Sequence, residues 1–130
     1  MVCLGLAVFD LILGGGSVLY PRVYAALFHP YLAEPPVDFI VRTGFVWLFF
    51  CLAQTIAGTR RKVEAQVRWF FIVGLLRLMD VPADLAYAHL ALGAHWLSRA
   101  ALYSAPLINA TLGGYLVYVS FRLKKAPARL

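Results

Sequence analysis

Arg77, Asp80 and Asp84 stand three and four residues apart inside an apolar stretch of the chain, so all three fall on one face of a helix. Ionisable groups in so apolar a segment cost roughly 2.5–3.5 kcal/mol each on membrane-insertion scales. They therefore need partners from other helices. Groups held in this way can form structural ion pairs, bind a polar ligand or respond to protons. Asp10, Arg42 and Asn109 lie in the other apolar stretches, and the six residues Asp10, Arg42, Arg77, Asp80, Asp84 and Asn109 make up a candidate buried polar network or ligand pocket.

The elements that must carry these groups are four apolar stretches, 2–20, 37–57, 68–92 and 97–121. Each is long enough to cross a hydrocarbon core of roughly 30 Å as a helix. At a rise of about 1.5 Å per residue from the end that bears the termini, Asp10 comes at about 12 Å, Arg77 at about 14 Å, Asn109 at about 17 Å and Asp80 at about 18 Å. Arg42 and Asp84 follow at about 22 and 25 Å on the same scale. Matching depths predict two inward-facing pairings, Asp10 with Arg77 (sharing Asp80) and Arg42 with Asp84, in which each charge offsets the desolvation of the other. Gly14, Gly15, Gly16, Pro82 and Pro106 fall near the same level. They fit either close packing with ordinary kinks or a cavity lined by carbonyls that the prolines release.

Composition sets the class. The 130 residues are 62% hydrophobic and 14% charged, with a mean hydropathy of +0.78, whereas soluble domains carry about a quarter charged residues. The expectation is one all-α domain over 1–130, a polytopic four-transmembrane-helix bundle with short loops. The net charge of +6 does not point to nucleic acid. Of the twelve Lys and Arg residues, Arg60, Arg61, Lys62 and Arg68 cluster at the turn between the second and third spans, Arg68 opening the third, and Arg122, Lys124, Lys125 and Arg129 follow the fourth. The positive-inside rule then makes both termini cytoplasmic in a multi-pass cell-membrane protein, with Trp69 and Trp96 as anchors at opposite interfaces. The proline-rich connection 22–36 lies outside, with its amphipathic part 23–28 on the membrane surface. Residues 59–67 read as a polar turn. The first span lacks a basic leader and carries Asp10, so it reads as a retained helix.

Other chemistries find little support. Cys3 and Cys51 fall on the cytoplasmic side without a CxxC pair, which argues against a disulfide. His29 and His89 would have to face each other inside the bundle to hold a haem, but His29 lies beyond Pro21 and beside Pro30. His89, His95 and Glu34 lack metal-ligand spacing, so no metal and no cofactor are predicted. Asn109-Ala110-Thr111 is a glycosylation sequon within a span, where it is not modified. No nucleophile, Walker or dinucleotide motif nominates a catalytic residue.

In length, span number and the Arg42-Thr43-Gly44 opening of the second span, the chain resembles the small four-helix membrane proteins of the broad DoxX-like group. That resemblance implies a small membrane subunit of a larger, quinone-linked complex, and it assigns no residue a role. Two functional readings follow. The first is a non-enzymatic integral membrane subunit or scaffold, whose partners are the bilayer and other membrane subunits or further copies of itself. The second is a transporter-like or binding module whose polar interior holds a lipid, a quinone or a small ligand.

Overall fold

The computed structural model describes residues 1–29, 34, 36–91 and 93–125. The described residues form an all-α fold of five helices: α1 (Val2–Leu19), α2 (Pro21–Phe28), α3 (Val37–Thr59), α4 (Val63–Leu90) and α5 (Trp96–Lys125). Two of them, α1 and α3, are long and apolar enough to cross a membrane, with mean hydropathies of 2.1 and 1.7 over their best windows. Helices α4 and α5 are longer, with 28 and 30 residues.

Helix α4 begins five residues ahead of the expected span. Glu64, Ala65 and Gln66 are good helix formers, and Gln66 Nε2 donates to the Arg60 carbonyl oxygen at 2.6 Å. The reversal after α3 therefore needs only Arg60, Arg61 and Lys62. Pro82 and Pro106 sit inside α4 and α5 without ending them. The amphipathic segment after α1 is a helix in its own right, with Pro21 at the first helical position, where its missing N–H costs nothing. Rather than resting only on a surface, α2 buries Tyr24 and Ala25 against Leu13, Ile40 and Trp47. The rest of the connection, 30–33 and 35, lies outside the described residues.

The long helices pack as two antiparallel pairs, α1 with α3 and α4 with α5, with a lesser contact between α3 and α4. Glycine sets how closely each pair approaches. A Cβ on Gly14 would lie 2.8 Å from the Gly44 carbonyl oxygen and 3.0 Å from the Leu48 nitrogen, and one on Gly74 would lie 2.9 Å from the Gly113 carbonyl oxygen. These neighbours are backbone and cannot turn aside. Gly14 thus serves close packing and not a cavity, while a Cβ on Gly15 would meet nothing within 4 Å. Between the pairs, Cys3, Leu6, Ala53, Ala57, Val73 and Leu116 form a small apolar core. Both cysteines are free thiols.

At the opposite end His29, which caps α2, lies 3.0 Å from the Tyr87 hydroxyl of α4, with the two rings edge to face. Burial pushes the His29 imidazole below its ordinary value. A histidine held neutral in the fold contributes stability that is complete above its unfolded value, near 6.5. That contribution is lost as pH falls through the folded value. Thermal melts in detergent should therefore show a fall in stability on acidification from about pH 7.5 to 5 that His29→Phe removes; the same fall in that variant would assign the effect to other groups. Gly14→Ala should cost about 1–3 kcal/mol through overpacking, while Gly15→Ala, one residue on, should leave the melting temperature unchanged. Equal effects of the two would show that α1 and α3 do not meet at Gly14.

Candidate functional site

The site is built on Arg77, which α4 carries into the space between the two helix pairs at 4% exposure. A guanidinium cannot lose its charge, so burying it requires acceptors around the fork. Asp10 of α1, 1% exposed, forms the ion pair through its Oδ2 and Arg77 Nη2. Gln54 of α3 accepts from the same Nη2 at 3.3 Å through Oε1 and donates to Asp10 Oδ2 at 2.5 Å through Nε2. Asn109 of α5 accepts from Arg77 Nη1 at 2.9 Å. All four long helices thus meet at one cation. The Phe50 ring completes the shell, with its centroid 5.3 Å from Arg77 Cζ.

Two atoms in this cluster, Asp10 Oδ1 and Arg77 Nε, are buried without a hydrogen-bond partner among the described residues. Each costs about 1–3 kcal/mol. The narrow gap beside them, between Phe50, Ala53, Gln54, Val73, Leu76 and Arg77, has no room for a water-sized sphere.

Asn109 extends the network. Its carbonyl oxygen faces the guanidinium, and its Nδ2 donates to Asp84 Oδ2 at 2.8 Å and more weakly to Asp80 Oδ2 at 3.5 Å. Both carboxylates are half-buried. The electrostatics orient the amide, because a flip would aim its NH2 at Arg77 and its oxygen at two carboxylates. The inner pair is neutral overall, whereas Asp80 and Asp84 have no ion-pair partner among the described residues.

The structure therefore brings together Asp10, Arg77, Asp80, Asp84 and Asn109, and it leaves Arg42 out. The expected pair of Arg42 with Asp84 is corrected: Arg42 lies on the exposed side of α3, and the hydrogen-bond partner of Asp84 is Asn109. Asp80 is linked to the central pair through Asn109 and not directly to Arg77. Gln54 was missed. A lone glutamine three residues from the end of the 37–57 stretch carries no charge to flag it, and at about 4.5 Å on the same depth scale it does not stand level with Asp10. His29 engages Tyr87, and no group of three His, Cys, Asp or Glu side chains among the described residues is placed to hold a metal.

Removing the guanidinium should strand Asp10. We expect Arg77→Leu to lower stability in detergent by about 3–5 kcal/mol, and Asp10→Leu combined with Arg77→Leu to recover part of that loss. Arg42→Leu should leave the melting temperature unchanged. Similar losses from Arg77→Leu and Arg42→Leu would contradict the network. Compared with known proteins, the chain matches no protein-family model, no curated protein and no solved structure.

Proposed function

We propose that the chain is a small non-enzymatic integral membrane subunit or scaffold, spanning the bilayer through α1, α3, α4 and α5 with both termini in the cytoplasm. The observation that carries this reading is the inverted distribution of polarity. Asp10, Ser17, Gln54, Arg77, Asn109 and Ser120 are buried, while large apolar side chains cover the outside, among them Ile12 at 67% exposure, Met79 at 75% and Leu107 at 69%. In water such a surface would drive association, whereas hydrocarbon tolerates it. Hydroxyls follow the same logic. Thr43, Thr55 and Thr111 each donate to the carbonyl four residues back, which satisfies them on their own helix.

The scaffold role follows from where the polar groups are spent. Three arginine contacts and two amides close the interior around Arg77, and the adjacent gap admits no ligand. Recognition is left to the outer surface, where Phe45 and Phe49 of α3 are exposed. A membrane protein partner or a second copy of the chain suits that face, as the likeness to DoxX-like subunits would have it. One observation favours the second reading. Asp80 and Asp84, half-buried and one turn apart, make no ion pair among the described residues, which suits a ligand-binding or transporter-like module.

Topology and assembly can be tested together. In a background with Cys3 and Cys51 replaced by alanine, Glu34→Cys should react with an impermeant maleimide on intact cells, and Lys124→Cys only after permeabilisation. Reaction of both from outside would overturn the topology. In mild detergent the chain should run as a complex larger than one copy, and Phe45→Ala with Phe49→Ala should shift it to the monomer. A wild-type monomer with a polar ligand retained only when Asp80 and Asp84 are intact would replace the scaffold by the binding module.

A further inference from the structure

The reversal between α3 and α4 holds a second polar feature, unconnected to Arg77. A depression of about 290 Å³ is lined by Arg60, Lys62, Glu64, Ala65, Arg68 and Trp69. Three cations and one carboxylate face a space large enough for a phosphodiester. The backbone at Arg60 and Lys62 is extended, at φ −69° ψ 129° and φ −75° ψ 125°, and the bond from Gln66 Nε2 to the Arg60 carbonyl pins the reversal. The cradle is therefore held by the turn itself.

Its charge is unusual for the place. Lys62 is the N-cap of α4 and makes no side-chain cap, so the first amides of the helix lack one, and Arg60 and Arg61 stand just ahead of it. Cations at a helix N-terminus oppose the helix dipole, and Glu64 in the first turn offsets this only in part. An anion would relieve both the repulsion and the uncapped amides. Trp69 borders the depression and packs on the apolar core around Cys3 and Leu6, which sets the cradle beside the hydrocarbon boundary on the reading of the chain as membrane-spanning.

We propose that this cradle binds a phosphate-bearing anion, supplied by the headgroup of an anionic lipid in the cytoplasmic leaflet. The lipid source rests on the membrane reading above; the phosphate chemistry rests on the cradle alone. Arg60, Lys62 and Arg68 hold the phosphate oxygens, Trp69 lies against the glycerol region, and Glu64 limits affinity.

The test uses the full chain reconstituted in phosphatidylcholine vesicles with and without phosphatidylglycerol, with bound lipid measured by native mass spectrometry after release. Neutralising Arg60, Lys62 and Arg68 together to glutamine should reduce phosphatidylglycerol retention by about fivefold per cation removed, and Glu64→Gln should raise it. Neutralising Arg122, Lys124 and Arg129 to glutamine removes the same charge elsewhere and should leave retention largely unchanged. Equal losses from the two triple variants, or no preference of the wild type for phosphatidylglycerol, would overturn the site. Displacement of the lipid by millimolar inorganic phosphate, with phosphate alone raising the melting temperature of the wild type but not of the cradle variant, would keep the site and reject the lipid as its source. Membrane insertion is read separately: a chain released from vesicles by alkaline carbonate overturns the membrane reading and the lipid source with it, while a chain that stays inserted and fails the retention assay loses the cradle alone.

Discussion

A guanidinium that cannot be neutralised, placed between helices, is the constraint on which the other features depend. Arg77 needs acceptors on several sides, and these come one from each of α1, α3 and α5. The bonds hold the two helix pairs at a fixed separation and rotation, because a shift of any one helix by a turn would leave a buried charge unmet. Pairing of this kind is weak evidence for stability and better evidence for specificity, since an apolar replacement of similar volume can be equally stable. The unpaired Asp10 Oδ1 and Arg77 Nε point the same way. A cluster selected only for stability would not keep two such atoms.

Close helix approach and the ion pair support each other. Within each pair, glycine allows backbone-to-backbone contact: Gly14 against Gly44 joins α1 to α3, and Gly74 against Gly113 joins α4 to α5. Such contacts gain dispersion energy through close backbone packing. Between the pairs the contact is sparser, and the small core around Ala57 and Val73 covers only part of it. The polar cluster fills the remainder. Tight apolar seams thus fix the pairs, and a directional polar junction fixes how one pair docks on the other.

How much of this could be read in the sequence depended on which coordinate each inference used. Helix identity followed from length and hydropathy, and the match of Asp10 with Arg77 followed from depth, because an ion pair in an apolar layer must be level. Depth says nothing about direction around the helix. Arg42 and Asp84 are level as well, yet Arg42 lies about 120° around α3 from the inward Gln54 at 3.6 residues per turn, and so it faces outward. Gln54 escaped notice because neutral amides look inexpensive in a sequence, although two of them complete the network. The early start of α4 was hidden by its charge: Arg60, Arg61, Lys62 and Glu64 read as a polar turn, while Glu64, Ala65 and Gln66 have helical propensity. The glycine seams lay in plain sight, but Gly44 and Gly74 have no spacing partner on their own helix, and only the neighbouring helix gives them meaning.

The network is also asymmetric along the helices, and this bears on what the interior is for. Its inner part, Asp10 with Arg77 and Gln54, is electrically neutral and closed, whereas its outer part, Asp80 and Asp84, depends on a single amide. Asn109 joins the two through opposite ends of one side chain, so its orientation is set by the cation on one side and by the carboxylates on the other. Any change in the charge of the outer carboxylates alters what holds that amide in place, and through it one acceptor of the buried guanidinium. A purely structural pair would have no need of this link. Asn109 therefore links the Asp80 and Asp84 side of the network to the junction that sets how the two helix pairs dock.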